Sequence, residues 1–76
     1  MKTYWLSFAN PQFLGVVITE ARDLASALRK TYRAGINPGG SVKAHDITEY
    51  ATAICEAHKN KLLSKSEASK IKLHKH

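Results

Sequence analysis

The sequence predicts an α+β domain, a small three-stranded and mainly antiparallel sheet in β-β-α-β-α order with helices packed on one face. Three stretches carry that expectation. Residues 2–9 alternate Tyr4, Leu6 and Phe8 with Thr3, Trp5 and Ser7, residues 13–40 pass from an apolar strand pattern through an amphipathic helix to a glycine turn, and residues 48–62 resume helical spacing. The middle stretch, FLGVVITEARDLASALRKTYRAGINPGG, is the clearest of the three, and the other elements attach to it.

The first strand is specified by period-two alternation and by aromatic side chains, which suit a pleated, half-buried surface. Asn10-Pro11-Gln12 ends it, because proline brings no N–H to a ladder and Asn-Pro favours a turn. A second strand over 13–19 then closes a β-hairpin. Leu14, Val16 and Ile18 make one of its faces and Phe13, Gly15, Val17 and Thr19 the other, with Gly15 marking a bulge or a close approach of another backbone.

After Ala21 the period becomes helical. Leu24, Leu28 and Tyr32 line one side of a helix over 24–34, Ala25 and Ala27 flank them, and Asp23 stands at the N-cap position. Gly35 closes the helix in the left-handed region, Ile36 folds back onto the last turn, and Pro38 prevents continuation. The outer side presents Arg22, Ser26, Arg29, Lys30 and Arg33 as a cationic stripe. Gly39-Gly40 leads into a third strand over 41–47. A long second helix is expected over 48–62, with Ala51, Ile54, Cys55, His58 and Leu62 on its apolar stripe and Asp46 or Thr48 as its cap. Ser64-x-x-Glu67 is a capping box that starts a short helix running to about residue 72. Residues 1–64 are expected to form the single domain and 65–76 a basic helical extension or tail.

A right-handed crossover leaves two arrangements for this element order. Strand three lies parallel beside strand two, or antiparallel beside strand one, which then becomes central; the second is preferred. With the helices on one sheet face, the other face is partly open and presents Trp5, Phe13 and Val17 to a partner or to a second copy.

Bulk properties bound the function. A chain of 76 residues buries only about 60% of the surface it exposes when unfolded, enough for one thin core. Cys55 is the one cysteine, so no internal disulfide forms, and a reducing cytoplasm is the expected location. No apolar run has signal-peptide length or the roughly 20 residues of a membrane span, so no membrane partner is expected. The net charge of +6 is uneven: residues 1–58 carry net +1, and Lys59, Lys61, Lys65, Lys70, Lys72 and Lys75 against Glu67 give the rest net +5. Such a tail meets phosphates, meets an acidic surface, or is simply solvated.

Catalytic and metal chemistry find little support. Cys55, His58, His74 and His76 are four potential ligands but fit no regular metal-box spacing, and no third group orients Cys55 and His58 as a nucleophile and base. GINPGGS leaves a helix C-terminus, whose dipole repels anions, whereas phosphate loops lead into a helix N-terminus. His45 and Asp46 are strand neighbours and point to opposite faces. The chain is therefore expected to be no enzyme, to need no cofactor and to hold no metal.

YWLSF, FLGVVITEA, the Gly-Ile-Asn-Pro-Gly-Gly turn and NKLLSKSE resemble a set of small uncharacterised bacterial and phage-type proteins. That resemblance implies a compact single domain with a strand-loop-strand start, a helix and the same glycine turn, and it attaches no activity or ligand. In size and layout the chain also looks like the small phage inhibitors of host complexes, anti-CRISPR proteins among them, although those that occlude nucleic-acid channels are commonly acidic and this chain is basic.

The functional expectation is a small basic binding module, with nucleic acid favoured as the partner. Arg22, Arg29, Lys30 and Arg33 on the first helix, with Lys65, Lys70 and Lys72 after it, are the candidate phosphate contacts. Trp5, Phe13 and Val17 are the candidate partner interface. The alternatives are a protein-interaction module, such as a phage-type inhibitor, and a homodimer through the open sheet face.

Overall fold

In the computed structural model of the chain, residues 1–71 are described. β1 (Lys2–Ala9) and β2 (Phe13–Ala21) form the antiparallel hairpin, α1 (Leu24–Arg33) follows, and β3 (Ser41–Asp46) returns antiparallel to the free side of β1. β1 is thus central, the arrangement preferred from the sequence. A fourth strand, β4 (Leu62–Leu63), pairs antiparallel with β2, giving the order β3-β1-β2-β4 where three strands were expected. α2 (Lys65–Ser69) comes after it.

Local signals set the helix ends. Asp23 Oδ1 accepts the Ser26 N–H at 2.8 Å and starts α1. At its C-terminus the Ile36 N–H donates to the Thr31 carbonyl at 3.1 Å and the Gly35 N–H to the Tyr32 carbonyl at 3.2 Å, with Gly35 at φ 71°, a Schellman closure. Ser64 and Glu67 form the reciprocal capping box of α2, at 3.1 Å and 3.3 Å.

Residues 48–62 do not form the long helix that their spacing predicts. Two 3₁₀ segments, Thr48–Ala53 and Glu56–His58, stand in its place. Bonds to the sheet outcompete the helical ladder: the Asn60 N–H donates to the Ile18 carbonyl at 2.8 Å, and Asn60 itself is left-handed at φ 59°. Lys59, whose side chain is 8% exposed, pairs with Glu20 at 3.6 Å and Glu56 at 3.0 Å, fastening the same stretch to the end of β2. Cys55, expected on an apolar stripe, is exposed.

Cross-strand register assigns the sheet faces. Leu6 stands opposite Val17, and with Tyr4, Phe8 and Ala21 they pack beneath Ala27, Leu28 and Ile36. Trp5 stands opposite Ile18, and that face packs through Val16 and Ile18 against Ile54, Leu63 and Ala68. Both faces are therefore covered, by α1 on one side and by the 3₁₀ segments and α2 on the other. The expectation of helices on one face alone is corrected accordingly.

α1 meets the sheet through Ala27 and Thr31. Leu28 is half-buried, whereas Leu24 is exposed and Tyr32 is 78% exposed, so the expected Leu24–Leu28–Tyr32 line is not the packing face. Small side chains at the contact let the helix lie close to the strands. On β2, Gly15 serves both purposes foreseen for it. Pairing shifts between Phe8 and Ala9 there, and a Cβ at Gly15 would stand 2.6 Å from Leu62 Cδ1 and 2.8 Å from the Leu63 carbonyl oxygen. The missing side chain is what lets β4 reach β2.

Candidate functional site

The strand-to-helix junction and α1 bring the predicted cations together. Arg22 precedes the N-cap, and Arg29, Lys30 and Arg33 follow at helical spacing, all exposed. An open depression of about 490 Å³ is lined by Ser26, Arg29, Lys30, Arg33 and Ala34. A neighbouring one of about 350 Å³ includes Arg22 and shares Ser26 and Lys30 with the first. Ser26 thus lies between the four cations, a position that charge patterning alone did not single out.

The face is predominantly cationic: the one carboxylate lining these depressions, Glu20, is paired with Lys59 at 3.6 Å. Among the described residues the ion pairs engage Lys59 and Lys61, and none engages Arg22, Arg29, Lys30 or Arg33. Lys30 Nζ donates to the backbone carbonyl of Glu20 at 3.1 Å, which anchors the ammonium without neutralising it. The nearest carboxylate on the helix, Asp23, is occupied as the cap: hydrogen bonds from Ser26, then the charges of Arg22 and Arg29, hold its carboxyl below the usual carboxylate range. Lys30 and Arg33 also sit in the last turn, where cations suit the negative end of the helix dipole.

The remaining candidates separate. Lys65 and Lys70 belong to α2 and its C-cap, across the sheet from α1, so they do not join the stripe. Lys72 lies outside the described residues, as do His74, Lys75 and His76. Val17 is fully buried beneath α1 and is no interface residue, because its partner Leu6 places it on the face opposite Trp5. Trp5 is half-buried against the second cluster, and Phe13 is 41% exposed.

Trp5 and Phe13 mark a margin of the sheet that the covering layer leaves open. On this face the rows are His45–Trp5–Ile18, Lys43–Ser7–Val16 and Ser41–Ala9–Phe13. Val16 and Ile18 on β2 are buried, the β1 residues are half-buried, and the β3 residues are exposed. Sequence reasoning weighed His45 only beside Asp46 and did not single out Lys43; the signal available was their alternate spacing in SVKAHD, which puts Lys43 and His45 on one strand face.

Among the described residues no three His, Cys, Asp or Glu side chains gather as a metal site, and no helix is long and apolar enough to cross a membrane. No protein-family model, curated protein or solved structure matches the chain.

Proposed function

We propose that the protein is a small non-enzymatic binding module for nucleic acid and that the outer face of α1 is its contact surface. One observation supports this above the others: Arg22, Arg29, Lys30 and Arg33 surround Ser26, and among the described residues no carboxylate is paired to any of them. Clustered cations repel one another, and a phosphate backbone removes that repulsion while releasing its own counterions. The guanidinium forks of the three arginines suit phosphate oxygens bidentately. A protein partner or a second copy on the Trp5 side is placed second, because Val17 is lost to the core and only Trp5 and Phe13 remain of that surface.

The test is fluorescence anisotropy with labelled single-stranded and duplex DNA and RNA. Arg29→Glu with Arg33→Glu, both at exposed positions, is expected to weaken binding at least about tenfold and to lower the salt slope by about 1.4 on single strands and about 1.8 on duplex, at about 0.7 and about 0.9 per phosphate contact. Affinity and slope unchanged in a variant with native circular dichroism would remove the α1 face from the function.

A further inference from the structure

We infer that the bound nucleic acid is single-stranded and that its bases engage a second surface, the open sheet margin formed by Trp5, Ser7, Phe13, Lys43 and His45. This rests on the nucleic-acid reading above and extends it to the opposite face of the sheet.

Three features of the margin fit an unpaired strand. First, it offers π-faces. Trp5 and His45 are a directly opposed cross-strand pair, their Cβ atoms about 5 Å apart in such a pair, and Phe13 lies two rows along. Unpaired bases stack on aromatic side chains whatever their sequence, whereas a duplex keeps its bases stacked on each other. Second, the margin is edged by a cation and a hydroxyl. Lys43 is exposed opposite half-buried Ser7, and the outward residues of β3 on this face, Ser41, Lys43 and His45, include no carboxylate; Asp46 points the other way, opposite Tyr4. Third, burial falls off across the sheet on this face: Val16 and Ile18 on β2 are buried with Ile54, Leu63 and Ala68, Trp5 and Ser7 on β1 are half-buried, and Lys43 and His45 on β3 are exposed.

The same features argue against the other occupants. A two-fold contact between copies sets a patch against itself, so the Lys43 ammonium would be desolvated against a surface whose β3 residues Ser41, Lys43 and His45 include no carboxylate. An apolar protein partner would have to bury Lys43 and Ser7 with nothing apolar opposite them on this margin beyond Trp5, Ala9 and Phe13.

Trp5 is the one tryptophan in the chain, so its emission reports this surface directly. The experiment titrates the full chain with unlabelled single-stranded oligonucleotides and with the matching duplex, reading Trp5 fluorescence, and repeats the titration with Lys43→Ala, His45→Ala and Arg29→Glu/Arg33→Glu. Single strands are expected to quench Trp5 saturably and more tightly than duplex, and Lys43→Ala with His45→Ala to weaken single-strand binding about fivefold or more while leaving duplex binding unchanged. Binding that the α1 variant abolishes, but that leaves Trp5 emission and both β3 variants unaffected, would overturn this inference and leave the α1 reading standing. Absence of binding to every nucleic acid would overturn both. Concentration-dependent Trp5 emission without nucleic acid, with a dimer in sedimentation, would assign the margin to a second copy instead.

Discussion

Thr19 on β2 donates its hydroxyl to Asn60 Oδ1 at 2.8 Å, and this bond between residues 41 apart holds the irregular half of the chain to the sheet. Thr19 is buried, so its hydroxyl has no water to turn to if the acceptor goes. Asn60→Ala removes the acceptor and places an alanine in the left-handed region, and a loss of about 1–3 kcal/mol is expected in urea unfolding. Thr19→Val, which removes donor and need together and leaves Asn60 exposed to solvent, is expected to cost less. Equal stability of Asn60→Ala and the parent chain would show that the bond does not secure this segment.

Gly15 is expected to tolerate no side chain. A Cβ there meets the Leu63 carbonyl, a backbone atom that cannot step aside without breaking the β2–β4 pairing. Gly15→Ala should therefore lower stability by about 1–3 kcal/mol, the usual cost of overpacking, and should expose the β4 amides to hydrogen exchange.

Tyr32 and Ala27 test how α1 is seated. Tyr32→Ser, at a 78% exposed position, is expected to change stability by no more than about 0.5 kcal/mol. Ala27→Leu, forced between helix and sheet, should cost about 1–3 kcal/mol. The reverse ranking would mean that the helix turns its Leu24–Leu28–Tyr32 side inward.

Acid should loosen the caps. Asp23 and Asp46, ordinarily near 3.8, and Glu67, ordinarily near 4.5, are held lower in the folded chain by hydrogen bonds from Ser26, Thr48 and Ser64 respectively. A carboxyl lowered on folding contributes stability above its unfolded value, and that contribution is lost as pH falls through the folded one. The urea midpoint is thus expected to hold from about pH 7 to about pH 5 and to fall below the ordinary carboxylate values. Asp23→Asn, which still caps, should flatten part of that decline. Lys59 behaves oppositely: the hydrogen bond to Glu56 outweighs desolvation and raises it above its ordinary 10.5, so its contribution is present below that value and lost as pH rises through the raised one.

What was legible in the sequence was local. The hairpin, the Asp23 cap, the Gly35–Ile36 closure and the Ser64–Glu67 box depend on neighbours in the chain, and each was visible as a residue type at a fixed offset. The second half was not. Apolar spacing at Ile54, His58 and Leu62 suits a helix, but Asn60 gives its N–H to Ile18, and a two-residue strand such as β4 has no period to detect. The candidate site divides on the same ground. The α1 stripe follows from helical spacing, whereas the partners of Trp5 depend on register. Val17 and Ile18 are equally apolar, and only the pairing of Trp5 with Ile18 sends Val17 to the other face.

The most direct measurement of the nucleic-acid assignment is the affinity of the unmodified chain for a labelled single-stranded oligonucleotide across a series of salt concentrations. Saturable binding whose logarithm falls steeply and linearly with the logarithm of salt, by about 0.7 per phosphate contacted and so by about 3 if all four α1 cations engage, is the expected result. A titration that stays flat even at the lowest salt would contradict it and direct attention to a protein partner.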